Sequence, residues 1–140
     1  MMQKGICLYV RIVLSTTHVE FTRALNILLS NMLANGERPI LDYCKRSAEE
    51  QNRLFKEGKS KCDGYKKISK HQQGLAVDIY FVGLDGKLTD PKLGWEYWHN
   101  IWEGLGGRKM IEWDKMHFEG WYERQWNFSE CGTCRSWQMQ

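Results

Sequence analysis

The sequence predicts an α+β domain in which a small, largely antiparallel sheet is flanked by helices. Three observations predict it. Two stretches, 17–34 and 47–57, pair a capping box with apolar residues at helical spacing. One stretch, Gly74 to Val82, alternates apolar and other residues with a period of two. Turn residues separate these short elements, with no internal repeat, low-complexity segment or linker between them. The 140 residues suit one domain, residues 1–140, with enough chain to bury a core and no room for a second large unit.

Taken in order, Ile6 to Leu14 is rich in apolar and β-branched residues between Gly5 and Ser15, and reads as a strand. Thr17-His18-Val19-Glu20 has the form of a capping box. Phe21, Leu25, Leu28, Leu29 and Met32 follow it as the apolar stripe of a helix ending near Asn35-Gly36. Pro39 to Tyr43 reads as a second strand. Ser47-Ala48-Glu49-Glu50 opens a second helix, which carries Gln51, Leu54 and Phe55 and stops at Gly58. A Lys-rich loop runs to Lys70, and Gly74 to Val82 is the strand of period two. Asp85-Gly86 marks a turn. Asp90-Pro91 starts a helix with Trp95, Trp98, Ile101 and Trp102, ending near Gly104 and Gly106, and Ile111 to Phe118 is a last strand. Tryptophans at this helical spacing are read as core rather than as a substrate platform.

A hydrophobic fraction of 42% with 26% charged residues excludes a disordered chain. The net charge of +3 is too small to argue for a polyanionic partner. Lys59, Lys61, Lys66, Lys67 and Lys70 read as a solvated loop, so no nucleic-acid partner is expected. No apolar run reaches the roughly 18 residues of a membrane helix, and Arg11 interrupts the opening apolar stretch, so neither membrane insertion nor a clear signal peptide is expected. Five cysteines exclude a complete intramolecular disulfide framework. Cys7, Cys44 and Cys62 read as reduced thiols. Cys131 and Cys134 form a CxxC that no second pair completes, and they read as incidental.

The residues with chemistry fall in two segments. His71 and Asp78 are seven positions apart, which in an extended chain would place them on opposite faces; Gly74 between them permits the bend that unites them. His117 comes later, in Trp113-Asp114-Lys115-Met116-His117-Phe118-Glu119. Two imidazoles and a carboxylate give zinc three protein ligands and leave a fourth position for water, the pattern of a catalytic rather than a structural site. Asp114, three residues before His117, needs a turn to reach the same pocket. A carboxylate there can take a proton from water and return it to a leaving amine. Glu112 competes for that role at a less suitable spacing. His18 and His99 read as a capping and a helix-surface residue.

Ser69-Lys70-His71-Gln72-Gln73-Gly74-Leu75-Ala76-Val77-Asp78 resembles the S-x-H-x-x-G-x-A-x-D signature of the D-Ala-D-Ala and L-Ala-D-Glu metallopeptidases, a group sharing its architecture with lysostaphin-type enzymes and the hedgehog domain. Asp114-Lys115-Met116-His117-Phe118-Glu119 is similar to the group's D-x-x-H-F-E. Arg46-Ser47-Ala48-Glu49-Glu50-Gln51 resembles its R-[ST]-x-x-x-Q, and Gly58-Lys59-Ser60 its G-[KR]-S. The resemblance spans about residues 15–122, leaving 123–140 as a C-terminal extension. It implies a hedgehog-like fold with one zinc ion in the cleft, held by His71, Asp78 and His117. Asp114 is implied as general base and acid, and Arg46 as the residue that binds a substrate carboxylate or the oxyanion. Ser69, Gln51 and Glu119 are implied as supporting or substrate-contacting groups. One departure lies at Gly106-Gly107, where many relatives carry W-G-G-x-W and this chain continues Arg108-Lys109-Met110.

The resemblance implies a zinc-dependent peptidase acting on a peptidoglycan stem peptide, with the L-Ala-D-Glu bond first and a terminal D-Ala-D-Ala bond second. Its short chain and Asp114 are more like phage or prophage endolysins. Such an enzyme is expected to be a monomer made in the bacterial cytoplasm that reaches the wall through a holin-type opening. The rival readings are a non-catalytic, zinc-stabilised binding module and a metal or redox site at Cys131 and Cys134.

Overall fold

The computed structural model describes the backbone of residues 3–120 and the side chains of residues 17–120. Its elements follow the order α1 (Gln3–Ala34), β1 (Pro39–Leu41), α2 (Ala48–Lys56), β2 (Ala76–Val82), β3 (Leu88–Thr89), α3 (Trp95–Gly104) and β4 (His117–Glu119). The fold is α+β, with three helices and a small antiparallel sheet among the described residues.

The sheet is organised around β2. β1 pairs with it antiparallel along one edge, with Ile40 opposite Tyr80. The other edge is shared end to end: β4 pairs with Ala76 to Asp78, and β3 with Phe81 and Val82. The period of two in the sequence appears directly in the burial. Val77, Ile79 and Phe81 are almost fully buried, while Asp78, Tyr80 and Val82 are only partly so. The buried face meets Phe21, Ala24, Leu28 and Met32 of α1 and Trp98 and Trp102 of α3, with Phe118 of β4 completing the core. Full burial of a side chain such as Phe118 contributes about 2 kcal/mol. One layer of helices, α1 and α3, therefore covers one sheet face, and Asp78 lies on the other.

α2 has the ends its sequence predicts. The Ser47 hydroxyl accepts from the Glu50 amide. At the other end Gly58 has a positive φ of 74°, and the Lys59 amide donates to the Leu54 carbonyl, closing the last turn.

Several predicted elements are displaced. Ile6 to Leu14 is not a strand but part of α1, and Thr17 to Glu20 lies inside that helix rather than at its start. Both edges of β2 are already taken, by β1 and the Asp42–Tyr43 backbone on one side and by β4 and β3 on the other. A short apolar run suits helix as well as strand, and here it continues the helix that carries Phe21, Leu28 and Met32 into the core. The predicted strand from Pro39 to Tyr43 is regular only to Leu41. α3 begins at Trp95 and not at Asp90-Pro91, because the buried Glu37 carboxylate accepts from the Lys92 and Leu93 amides and holds that segment as a turn. The final strand begins only at His117, since Ile111 to Met116 is taken up by turns. The tryptophans behave as predicted: Trp98 and Trp102 are fully buried, and Trp95 packs on Phe81. Residues 121–140, with Cys131, Cys134 and the predicted extension from 123, lie outside the described residues, as does the side chain of Cys7. Cys44 and Cys62 are free thiols. Among the described residues no helix is long and apolar enough to cross a membrane.

Candidate metal centre

Two backbone turns bring the ligand candidates together. His71 lies in a turn in which the Gly74 amide donates to the His71 carbonyl and the Leu75 amide to that of Lys70. Gly74 takes a φ of +70°, a region a side chain disfavours, and the chain then enters β2 with Asp78 turned toward His71. Ser69 braces the turn: its hydroxyl accepts from the Gln72 amide, while the Gln72 side chain accepts from the Ser69 amide. On the facing strand His117 is the register partner of Asp78. The turn expected between Asp114 and His117 is present, with the His117 amide donating to the Asp114 carbonyl.

The result is a triangle of electron-pair donors. His71 Nε2 lies 3.1 Å from His117 Nδ1, and Asp78 Oδ1 lies 3.2 Å from each of them. These three residues form a group able to hold a metal ion. Bond lengths of about 2.0–2.1 Å in a tetrahedral zinc site place ligand atoms roughly 3.3–3.4 Å apart, close to the observed edges. Two imidazoles and a carboxylate are also the donor types zinc prefers.

The charges reinforce one another. Burial pushes the Asp78 carboxyl up, but hydrogen bonds from His117 and His71 outweigh it and hold the carboxyl at about 2. Burial lowers the His117 pKa, yet its contact with Asp78 leaves it raised overall. Without a metal, then, the triangle favours a proton in the same place. Burial, with Asp78 nearby, raises the Asp114 carboxyl above the ordinary aspartate value. Glu112 is exposed, whereas Asp114 is half-buried beside the triangle, which favours Asp114 as the proton carrier.

Arg46 and Gln51 form one assembly. Arg46 Nη2 lies 3.8 Å from Asp78 Oδ2, and its guanidinium stacks on Tyr43 at 4.3 Å. Its Nη1 donates to Gln51 Oε1, and the fully buried Gln51 donates in turn to Ser60 Oγ and the Cys62 carbonyl. The spacing of Arg46, Gln51 and Ser60 is thus the spacing of one hydrogen-bonded chain. Glu119 lies beneath His117, its Oε2 4.0 Å from Nε2, and accepts from Arg108 at 2.6 Å. Ser69 acts on the turn and not on the imidazole, since His71 Nδ1 is buried without a hydrogen-bond partner.

Reading the sequence missed Arg108 and Tyr43, neither of which has a spacing that marks it. Both remaining histidines are corrected. His99 is not on a helix surface: it is 1% exposed, stacks on Phe118 and bonds the Lys115 carbonyl, which ties α3 to the 111–116 turns. His18 caps nothing; from within α1 its Nε2 donates to the Gln73 carbonyl, anchoring the turn that carries His71. The glycine pair also gains a reason. A Cβ on Gly107 would collide with the Trp102 indole, whose Nε1 donates to the Glu119 carbonyl.

No protein-family model matches this chain, and no curated protein is significantly similar to it.

Proposed function

We propose that this protein is a zinc-dependent peptidase of the D-Ala-D-Ala and L-Ala-D-Glu type, cutting a stem peptide of the bacterial cell wall. The observation that carries the proposal is the His71, Asp78 and His117 triangle with Asp114 placed beside it. A structural metal site needs only its ligands, whereas a half-buried carboxylate with a raised pKa next to the site is a means of moving protons.

His71, Asp78 and His117 would hold the metal, which when bound supplies an acidified water and a Lewis acid for the scissile carbonyl. Asp114 takes the proton released as water attacks and returns it to the departing amine nitrogen. Arg46, held by Gln51 and Tyr43, steadies Asp78 and offers charge to a substrate carboxylate or the developing oxyanion. Glu119 and Arg108 orient His117 from below. The first-choice bond is L-Ala-D-Glu and the second a terminal D-Ala-D-Ala bond. In the same reading the protein is a phage or prophage lytic enzyme that acts as a monomer on the wall once the membrane has been opened.

The test is to incubate zinc-loaded protein with purified peptidoglycan, with and without chelator, and identify the fragments by mass spectrometry. Chelator-sensitive fragments with a new D-Glu amino terminus are expected. Loss of terminal D-Ala alone would move the assignment to a carboxypeptidase. No cleavage of walls of several chemotypes by folded, zinc-containing protein would leave a binding module.

A further inference from the structure

The peptidase reading does not use one pair of side chains that belongs to the segments carrying the site. Trp113, immediately before Asp114, is 81% exposed, and the Lys61 ammonium lies 5.3 Å from the centre of its ring. The two residues come from separate segments of the chain. Trp113 belongs to the turns that place Asp114 and His117. Lys61 is held on the bank of Arg46, because Gln51 grips both of its neighbours, Ser60 through the hydroxyl and Cys62 through the carbonyl. That same Gln51 accepts from Arg46, which faces Asp78. Among the described residues Lys61 makes no ion pair, and its ammonium lies against the indole face. The two arginines of the site are already matched, Arg46 to Asp78 and Arg108 to Glu119.

We propose that Lys61 and Trp113 form a substrate subsite that binds a free carboxylate of the stem peptide beside the scissile bond. Lys61 supplies the charge, and the Trp113 ring packs against the adjoining aliphatic part of the chain. An indole left open to water is a ready apolar contact surface, and a cation at its face gives that surface a preference for anions. Lys61 and Arg46 then engage two different groups: Arg46 acts at the reacting carbonyl or an adjacent carboxylate, and Lys61 fixes how far the peptide extends over the Trp113 bank. The subsite rests on the peptidase reading for its substrate, but it makes a claim about binding that does not need turnover.

The experiment uses zinc-loaded full-length Asp114→Asn protein, so that binding is measured without cleavage. The probes are the disaccharide tetrapeptide with a free D-Glu α-carboxylate and the same compound amidated there, titrated by calorimetry. The free acid is expected to bind more tightly than the amide. Lys61→Gln is expected to weaken the free acid about five- to tenfold and erase the preference, and Trp113→Ala to weaken both probes by a similar factor while Trp113→Phe restores most of it. Zinc content equal to the parent's identifies the variants that have kept their fold. Equal binding of both probes by the parent, or unchanged affinities in both variants, overturns the subsite even if wall cleavage by the unmodified enzyme stands. Variants that lose affinity for a single-stranded oligonucleotide but not for the peptide overturn it in favour of a nucleic-acid contact. Carboxylate-dependent binding that needs Lys61, from a protein whose unmodified form cleaves no wall, supports the subsite and rejects the peptidase.

Discussion

Asp114, Asp78 and His117 have pKa values shifted by burial and by their neighbours, and this makes their titration informative. The Asp114 carboxyl must be ionised to accept a proton, and burial raises its pKa above the usual value near 3.8. Turnover is therefore expected to fall on the acid side at a higher pH than an ordinary aspartate would give, which a pH profile of kcat measures. Asp114→Asn should lower kcat by roughly 10²- to 10⁴-fold while zinc content is unchanged. His117 adds a second loss on the acid side. The contact with Asp78 raises the pKa of His117, so protons compete with metal up to a higher pH than at an unperturbed histidine. Zinc affinity should decline as pH falls through that raised value, and a competition assay with a chromophoric chelator reads it directly. Arg108→Ala removes the donor that holds Glu119 under His117; about a tenfold loss of zinc affinity is expected in the same assay.

Short elements are set by local chemistry where a specific side chain acts on a specific backbone group. Ser47 begins α2 through its bond from the Glu50 amide, and Ser47→Ala should cost about 1 kcal/mol, read as a shift in the urea midpoint. This cost extends to the site, because α2 carries Gln51, the link between Arg46 and the Lys61 loop. Gly107→Ala acts by crowding rather than capping. Its methyl group enters space filled by the Trp102 indole, which is fully buried and bonded to the Glu119 carbonyl. A loss of about 1–3 kcal/mol is expected in the same urea experiment. An unshifted midpoint would show that the indole moves aside freely.

At the scale of the whole molecule, α1 and α3 back the sheet while Asp78 lies on the opposite face, and His99 ties α3 to the 111–116 turns. Burial depresses the His99 pKa below about 6.5, so the folded protein holds this ring neutral where the unfolded chain would protonate it. Its contribution to stability is therefore complete above about 6.5 and is lost as pH falls through the depressed folded value. Thermal unfolding between pH 5 and 8 in the presence of chelator, compared with His99→Phe, reads this slope. Metal acts globally in the other direction: a ligand bound only by the folded state, present at 100 times its Kd, adds about 2.7 kcal/mol. Zinc removal should lower the melting temperature, and His71→Ala should abolish the difference between the loaded and stripped samples.

The sequence by itself determined what is local. Ser47 and Gly58 bound α2, the alternation from Leu75 to Phe81 sets which face of β2 is buried, and Gly74 marks the bend between His71 and Asp78. In each of these, a side chain or a backbone angle acts within a few residues, so spacing is enough to reveal it. His71 and Asp78 are likewise joined by one short turn and one strand, whereas His117 was singled out through the resemblance of its segment to D-x-x-H-F-E and meets Asp78 only by strand pairing. The tertiary structure decided what depends on partners remote in the chain. Ile6 to Leu14 joined the helix that packs Phe21, Leu28 and Met32 into the core, and the start of α3 moved to Trp95 because Glu37, over fifty residues earlier, captured the amides of Lys92 and Leu93. The burial of His99, the bond from Arg108 to Glu119 and the meeting of Lys61 with Trp113 likewise join separate segments. Propensity and spacing describe a segment alone, whereas these outcomes depend on which other segment reaches it first.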